Sequence, residues 1–309
     1  MSLAFLYAGQ GSQHPGMGAD LYETYPAFRE VFDACAAAVP FDLKRVCFED
    51  PDGVLDQTEY TQPCMVAFAA GVTRLLFDKG IVPDMAAGLS LGEYSALQAA
   101  GVFTPAQAVS LVAFRGQAMA KASEGIDCGM TAVLGLERGP LQDICEAVIS
   151  DGFGHVQISN YNCPGQLVLG GVSAAVNEAA DRAKNAGAKR CMPLKVSGPF
   201  HTSLLAAAGD ALQERFAGED FGQMAFPVLF NCLGREKSED DQIPALLVRQ
   251  VQSSVYMEDT IRRMAELGVD RVIEIGPGKA LSGFVRKTCR DITATGIETV
   301  KDFEALEAV

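Results

Sequence analysis

The stretch "DMAAGLSLGEYSALQAAG", residues 84–101, places one serine between two glycines where a strand pattern meets a helix pattern. The segment "DMAAG" predicts a short buried strand, and "LGEYSALQAA" predicts a helix that Gly101 ends. Gly88, Ser90 and Gly92 fit G-x-S-x-G, a strained turn that exposes a nucleophile in some α/β enzymes. Taken alone, the segment explains Ser90 equally well as the N-cap of the helix, because serine is a favoured N-cap residue.

Composition limits the classes of function. The chain has 309 residues, of which 49% are hydrophobic, and its net charge of -14 gives no support to nucleic-acid binding. No apolar run approaches the roughly 18 to 20 residues that span a bilayer, and no basic segment precedes the apolar "SLAFLYA". The nine cysteines are scattered, odd in number and without a C-x-x-C pair, so we expect neither disulfides nor zinc, and a cytoplasmic location.

Short apolar runs alternate with longer helical patterns along the first part of the chain, which predicts a parallel sheet with helices on its faces. Helices are expected over residues 17–38 and 62–79. A third runs from Pro105 to about residue 120, with Thr104 as N-cap and Gln107 completing a pattern similar to a capping box.

The alternation of strands and helices changes over residues 129–196, where the predicted order is strand, helix, strand, strand, helix, strand. This order is typical of a ferredoxin-like subdomain, so we predict that 129–196 is an insertion in a main α/β domain formed by 1–128 and 197–309. The main domain resumes with the strands "FPVLFN" and "DRVIEIG" and a closing helix from about Lys279. The charged stretch "GREKSEDDQ", residues 234–242, predicts an exposed loop before a helix near Ile243.

A serine nucleophile needs a base, and the chain has three histidines. His14 lies in a glycine-rich loop and His155 opens a predicted strand of the insertion. His201 stands at a strand-to-helix junction where the main domain resumes, which makes it the candidate base, although a histidine in such a place is more often a structural cap. Three aspartates between Ser90 and His201 lie near or within the insertion and in no motif: Asp127, Asp151 and Asp181. The third member of a triad is therefore expected to be something other than a carboxylate.

The glycine loop "AGQGSQHPGMG", residues 8–18, follows the first predicted strand. It lacks the lysine of a P-loop and the complete dinucleotide spacing, so nucleotide binding is the weaker interpretation. Such a loop can instead aim a main-chain N–H at a developing oxyanion, and the residue after the nucleophile supplies a second. This hypothesis assigns Gln10 and Leu91 to an oxyanion hole.

Arg115 ends the apolar face of "AVSLVAFRGQAM". It is either a surface arginine near a helix C-terminus or a bidentate fork for a substrate carboxylate. The sequence pattern alone leaves both interpretations open.

Seven segments, in order, are similar to the malonyl-CoA:acyl carrier protein transacylases of fatty-acid and polyketide synthesis. The resemblance runs nearly end to end. It comprises "GQGSQ" (9–13), "GLSLGEYSAL" (88–97), "RGQAM" (115–119), "NYNCPGQLVLGG" (160–171), "GAKRCMPLKVSGPFH" (187–201), "VRQ" (248–250) and "EIGPGKALSGF" (274–284). It implies an α/β-hydrolase-like domain with a ferredoxin-like insertion, in agreement with the predicted order.

The resemblance also implies roles for single residues. Ser90 would be acylated, His201 would be its base, and the main-chain carbonyl of Gln250 would orient His201. Gln10 and Leu91 would donate to the oxyanion. Arg115 would bind the malonyl carboxylate.

Two further positions belong to the substrate side of the implied site. Asn162 lies in a family motif near the cleft. Phe200 precedes the candidate base, and in related acyltransferases a phenylalanine there accompanies malonyl rather than methylmalonyl. Members of the family often have histidine before the nucleophile, whereas this chain has Leu89, which changes the local polarity.

The implied partner is acyl carrier protein, whose phosphopantetheine thiol accepts malonyl from malonyl-CoA; no tightly bound cofactor, nucleic acid, metal or membrane is expected, and the chain is expected to be a monomer. Because carrier proteins are acidic, docking requires a local basic patch. The candidates are Lys189, Arg190, Arg286 and Lys287. The alternatives are a serine thioesterase or esterase that uses the same elbow, and a non-catalytic docking module.

Overall fold

The computed structural model describes residues 2–306, and their strands are interleaved with helices along the whole chain. In chain order the strands are β1 (Ser2–Tyr7), β2 (Met85–Gly88), β3 (Cys128–Leu134), β4 (Val156–Cys163), β5 (Gln166–Val172), β6 (Arg190–Pro193), β7 (Val228–Phe230), β8 (Arg235–Glu236), β9 (Val269–Ile275) and β10 (Thr293–Ile297). The helices are α1 (Ala19–Thr24), α2 (Pro26–Ala36), α3 (Leu43–Phe48), α4 (Thr58–Asp78), α5 (Gly92–Ala99), α6 (Pro105–Ser123), α7 (Arg138–Ser150), α8 (Ser173–Asn185), α9 (Ala206–Phe216), α10 (Ile243–Val251), α11 (Met257–Glu266), α12 (Ala280–Thr288) and α13 (Val300–Glu304).

A mostly parallel sheet has the strand order β10-β9-β1-β2-β7-β8. The pairs β10–β9, β9–β1, β1–β2 and β2–β7 are all parallel. Every residue of β1 after Ser2 is buried, as are all four of β2, because parallel strands are covered on both faces. The predicted α/β class with a parallel sheet is confirmed.

Several helix boundaries differ from the prediction. The helix expected over 17–38 is two helices, because Tyr25 is extended before Pro26 and a residue that precedes proline disfavours the helical conformation. Helix α4 begins at Thr58, earlier than expected, and tolerates Pro63 in its buried first turns. Helix α6 continues to Ser123, and its predicted cap is confirmed by the bond from the Gln107 N–H to the Thr104 hydroxyl at 3.2 Å.

The end of the chain contains elements that the sequence analysis missed. After α12, the chain adds the strand β10 at the edge of the parallel sheet and the short helix α13. The segment "TATGI" has no run of buried apolar side chains, because an edge strand has a neighbour on one side only and most of its residues remain at least partly exposed.

A second sheet is antiparallel and has the order β4-β5-β3-β6. Helices α7 and α8 cover it, and together they enclose a separate core of apolar side chains that includes Val133, Leu141, Ile158, Leu169 and Val176. The element order from β3 to β6 is the one predicted for this region.

By their internal contacts, the described residues form two units. One comprises 2–117, 220–229 and 263–306 and contains β1, β2, β9 and β10. The other comprises 118–219 and 230–262, contains the antiparallel sheet, and includes the whole of 129–196.

Two further features are the apolarity of the helices and the state of the cysteines. Within residues 2–306, no helix combines the length and the apolarity that a bilayer crossing requires. All nine cysteines are thiols, and six of them are buried.

We predict that Gly92→Ala lowers the free energy of unfolding by about 2–3 kcal/mol. A methyl group at this position would overlap the main-chain carbonyl of Tyr7 on β1, which cannot move unless the strand shifts. Urea denaturation of the variant and of the wild-type protein measures the difference.

Gly283→Ala is the matched control. Gly283 lies inside α12, and no atom outside its own helix turn lies within 4 Å of the position that an alanine methyl would occupy there. An alanine at this position should raise stability by roughly 0.5–1 kcal/mol, as in other helix interiors. Equal stability of the two variants would contradict the close approach at Gly92.

Candidate active site

Ser90 lies on the tight turn between β2 and α5, as the G-x-S-x-G pattern predicts. Its φ is 55°, in the left-handed region that costs a non-glycine residue about 1 kcal/mol or more. A side chain at Gly88 would overlap the main chain of Gly92, and one at Gly92 would overlap that of Tyr7. The two glycines therefore allow the turn to close against β1, and the closed turn holds the partly exposed serine in a strained conformation.

Arg115 is completely buried, so the interpretation of a surface arginine near a helix C-terminus is wrong. It lies in the middle of α6. One terminal nitrogen donates to Ser90 Oγ at 3.1 Å, and the other donates to Gln62 Oε1 of α4 at 2.9 Å. A planar guanidinium is thus fixed beside the serine hydroxyl.

Burial is the main influence on the pKa of Arg115 and lowers it, while the nearby Tyr94 and Glu93 raise it. The guanidinium carbon lies 5.6 Å from the centre of the Tyr94 ring, close enough for a cation–π contact. Because arginine is not deprotonated in proteins, the site holds a desolvated positive charge next to a hydroxyl. Such a charge favours an anionic ligand, above all a carboxylate bound through two hydrogen bonds.

The glycine loop lies against the turn that carries Ser90. A side chain at Gly9 would come within 2.6 Å of the Leu89 carbonyl oxygen, so the two main chains are in close contact. The Gln10 side chain donates to Thr58 Oγ1 at 3.2 Å at the start of α4, and Leu91 is buried. This unit therefore brings the segments of Gln10, Leu91, Ser90 and Arg115 together.

The position of Arg115 relative to α4 is fixed by a close approach between α6 and α4. A side chain at Gly116 would come within 2.8 Å of the Thr58 carbonyl oxygen and of the Glu59 Cα. Helix α6 can therefore pack directly on the first turn of α4, from which Gln62 reaches the guanidinium.

His201 belongs to the other unit and is buried, with a left-handed φ of 58°. Its Nδ1 lies 2.9 Å from the main-chain carbonyl oxygen of Gln250, which is fully buried at the end of α10. Because a carbonyl only accepts, Nδ1 carries the proton, and the lone pair of the neutral ring is on Nε2. This is the tautomer that a general base requires.

Neighbouring groups hold the strained turn of His201. Gln157 Nε2 donates to the His201 carbonyl oxygen at 3.3 Å, and the buried Thr202 hydroxyl donates to the Pro199 carbonyl oxygen at 2.6 Å. A side chain at Gly170 on β5 would touch the Thr202 methyl group and Ser159, so the antiparallel sheet packs tightly on this turn.

The remaining residues predicted for the site fall into two groups. Phe200 and Asn162 are buried in the same unit as His201, and Asn162 Oδ1 has no hydrogen-bond partner within residues 2–306. The four basic residues predicted for docking are at least partly exposed: Lys189, Arg190, Arg286 and Lys287. The first two lie in the unit of His201, and the last two are in the last turn of α12 in the unit of Ser90.

Some residues of the site were missed by the sequence analysis. Gln62 was predicted only as the first residue of a helix over 62–79 and was given no role in the site. Gln157 lies in none of the recognised motifs, and Tyr94 lies in the motif 88–97 but was given no role. Within residues 2–306, no group of histidine, cysteine or acidic side chains has the arrangement of a metal site.

His14 ties the glycine loop to the end of β10. Its Nε2 lies 2.6 Å from Glu298 Oε1, and its Nδ1 lies 3.0 Å from the Pro15 carbonyl oxygen. The other carboxylate oxygen of Glu298 accepts from the Gly278 N–H at 2.9 Å. Both ring nitrogens face acceptors, so only the protonated ring satisfies the two contacts.

Comparison with known proteins gives consistent matches over the whole chain. The family model described as "Acyl transferase domain" matches residues 4–306. A malonyl CoA-acyl carrier protein transacylase of Staphylococcus aureus is 38% identical over 299 residues, which is 97% of this chain and 96% of that protein.

Solved structures are similar to the same extent. The crystal structure of a malonyl CoA-acyl carrier protein transacylase from Clostridium perfringens has a TM-score of 0.94 and 39% identity, over 98% of this chain and 95% of that one. Another match, with a TM-score of 0.94 and 34% identity over 98% of each chain, is a malonyl-transacylase in complex with its type II PKS acyl-carrier protein.

The ion pair of His14 predicts a pH-dependent contribution to stability. The Glu298 carboxylate, followed by the Pro15 carbonyl, raises the pKa of His14 above its ordinary value of 6.5, and burial opposes this weakly. The contribution is therefore complete below the unfolded-state pKa of about 6.5 and is lost as pH rises through the higher folded-state pKa. Urea denaturation of the wild-type protein and of His14→Gln should show a stability difference that shrinks from pH 6 to pH 9.

Glu298→Gln provides the control for this prediction. In that background, His14→Gln should leave no comparable pH-dependent difference, because the acceptor that raises the pKa is gone. A difference that grows with pH in the wild-type background would show that the pair does not act as described.

Proposed function

Because the chain belongs to the acyl transferase domain family, we propose that it transfers malonyl from malonyl-CoA to the phosphopantetheine thiol of acyl carrier protein through a malonyl-serine intermediate. Its relatives of known structure and its curated relatives carry the name of this transacylase. The observation that carries the proposal is the buried guanidinium of Arg115, which donates to Ser90 Oγ at 3.1 Å. A carboxylate bound there would lie next to the nucleophile.

In the first half of the proposed reaction, Ser90 Oγ attacks the thioester carbonyl of malonyl-CoA while His201 Nε2 accepts the hydroxyl proton. The bond between carbonyl carbon and sulfur then breaks, and CoA leaves as the thiol with the proton from His201. The hydrogen bond from His201 Nδ1 to Gln250 supports this role, since it stabilises the imidazolium that forms.

In the second half, the phosphopantetheine thiol attacks malonyl-Ser90, and His201 again accepts a proton. The ester bond breaks, and the serine oxygen recovers a proton from His201. The main-chain N–H groups of Gln10 and Leu91 are proposed to donate to the carbonyl oxygen in both halves. The contact between the glycine loop and the serine turn supports this assignment.

Arg115 is proposed to bind the malonyl carboxylate through two parallel hydrogen bonds. Its burial has removed its hydration before the substrate arrives, and Gln62 holds its plane. Acetyl-CoA has no carboxylate to pair with this charge, which gives a physical basis for discrimination. Phe200 and Asn162 are also proposed to contact the acyl group, the latter through its buried amide.

The finer description of the fold is also a proposal. We assign 1–128 and 197–309 to an α/β-hydrolase-like catalytic domain and 129–196 to a ferredoxin-like insertion. The serine turn between a parallel strand and a helix supports the first assignment. The antiparallel order β4-β5-β3-β6 with two covering helices supports the second.

The relations of the protein with other molecules are proposed as follows. It is a cytoplasmic monomer without tightly bound cofactor, nucleic acid or membrane contact. The cysteine thiols support the proposed location, and the net charge of -14 supports the proposed absence of nucleic acid. The carrier protein docks through Lys189, Arg190, Arg286 and Lys287, all of which are at least partly exposed. The names of the relatives do not favour the alternative of a thioesterase, nor that of a docking module.

We predict that intact protein mixed with malonyl-CoA gains the mass of one malonyl group and that Ser90→Ala does not. The control Ser95→Ala removes a buried hydroxyl of the adjoining helix α5 and should be acylated like the wild-type protein. Mass spectrometry of the intact proteins makes the measurement.

The acylated protein is then mixed with holo acyl carrier protein. Transfer of the malonyl group is expected. Loss of malonyl to water alone would support the thioesterase, and acylation of the Ser90→Ala variant would refute the nucleophile.

We predict that Arg115→Lys lowers kcat/KM for malonyl-CoA about 100-fold and changes that for acetyl-CoA little. Lysine keeps the charge but cannot form two parallel bonds to a carboxylate. Steady-state kinetics with both substrates gives the ratio. In the control, Arg74→Lys changes an exposed arginine that pairs with Asp78, and the ratio should stay as in the wild-type protein. An unchanged ratio in Arg115→Lys would exclude the proposed contact.

A further inference from the structure

A cavity of about 550 Å³ lies beside the edge strand β10 and outside the site described above. Its lining includes three cationic side chains from α12 and the segments that flank it: Lys279, Arg286 and Arg290. The volume is within the range of small-molecule sites, roughly 300–1,000 Å³. Only Arg286 among these three was assigned a role from the sequence.

The cations of this cavity differ from other arginines of the chain in their partners. Within residues 2–306, none of Lys279, Arg286 and Arg290 forms an ion pair, whereas Arg138 and Arg182 each bind two carboxylates. The chain carries 39 acidic residues against 25 basic ones, so carboxylates are plentiful. Three cations line this concavity with a single described carboxylate, Asp302, so the cations repel each other and a bound anion would relieve that repulsion.

Hydroxyl donors complete the lining. Thr293 and Thr295 alternate on β10, so their side chains share one face of the strand, and both line the cavity. Because β10 ends the sheet order, that edge has no neighbouring strand within residues 2–306. Guanidinium, ammonium and hydroxyl groups are the donors that bind phosphate oxygens.

One carboxylate also lines the cavity, and it is held by other groups. Asp302 accepts from Thr299 Oγ1 at 2.7 Å, from the Thr299 N–H at 3.0 Å and from the Glu298 N–H at 3.2 Å. Burial alone would raise its pKa, but these bonds and the charge of Lys279 outweigh burial and lower it. Among the described residues of the lining, three cations and one carboxylate leave an excess of two positive charges.

We infer that this cavity binds the phosphate groups of an adenosine phosphate. The volume exceeds what a single phosphate fills, and the apolar side chains of Ile292, Ala294 and Ala305 offer a surface for a base or a ribose. Two sources carry this chemistry: a free adenine nucleotide, and the 3′-phospho-ADP part of CoA. The second source rests on the proposed function, and the first does not.

A competing explanation is that the cations guard the edge of β10 against pairing with another chain. Charged side chains that protect a strand edge need only project from that edge into solvent, and they need not line a concavity. The concave arrangement with two hydroxyl groups favours a ligand instead.

The test titrates the full-length protein with 3′,5′-ADP and with pyrophosphate by isothermal calorimetry. Saturable binding with one site is expected, and Arg286→Gln combined with Arg290→Gln should weaken it about tenfold or more. Lys301→Gln is the control, because it removes the same kind of charge from an exposed position of α13 outside the cavity. It should leave the affinity unchanged.

Three outcomes would overturn the inference. They are the absence of saturable binding, equal binding by the double variant and the wild-type protein, and equal weakening by Lys301→Gln, which would indicate a nonspecific effect of net charge. If the double variant aggregates and the wild-type protein binds no nucleotide, the cations guard the strand edge.

Kinetics distinguishes the two sources. If CoA places its nucleotide in this cavity, Arg290→Gln should raise KM for malonyl-CoA and leave kcat unchanged. If a free nucleotide is the ligand, KM should stay constant while the calorimetric affinity falls. Failure of the proposed function would appear separately, as the absence of a malonyl adduct on the wild-type protein, whatever the titration shows.

Discussion

The close approach of the first turn of α5 to β1 sets the geometry of the turn that carries Ser90. It exists because Gly88 and Gly92 have no side chains where each would meet main-chain atoms. The turn between them then has room only for a left-handed residue, and Ser90 takes that conformation with φ 55°. The strain is stable because β2 and nearly all of α5 are buried and fix both ends of the turn. A fully buried arginine from α6 can then reach the hydroxyl.

The features that the sequence predicted correctly are those that depend on residues close together in the chain. The serine turn follows from two glycines and a hydroxyl at fixed spacing, and the parallel sheet and the order of elements from β3 to β6 follow from hydrophobic periodicity. The family was inferred from the similarity of seven motifs, and the comparisons confirm it. The roles of Ser90, His201, Gln250 and the other site residues stay predictions, although the local geometry around Ser90 and around His201 suits them.

Interactions between distant parts of the chain were beyond the sequence analysis. Gln62 and Arg115 are 53 positions apart, and His14 and Glu298 are 284 apart. Neither pair has a local motif, because the two residues of each pair become neighbours only in the folded chain. The sequence around a glutamine or a glutamate therefore does not indicate its partner. The strand β10 was missed for a related reason, since its pattern is set by one neighbouring strand and by open space on the other side.

The buried guanidinium connects substrate choice with the fate of the acyl group in the proposed reaction. Removing Arg115 from water is a cost of folding, offset by the packing of α6 on α4, so it is already present before any substrate binds. In this proposal, the carboxylate of malonyl-Ser90 would stay paired with the same guanidinium after CoA has left, because a terminal nitrogen of Arg115 lies 3.1 Å from Ser90 Oγ. The pairing proposed to select malonyl in the first half would therefore also hold the intermediate in the second half, and the acyl carbonyl would keep one orientation toward the incoming thiol. An acetyl group attached to Ser90 would lack this second anchor, so discrimination against it acts on the intermediate as well as on the substrate.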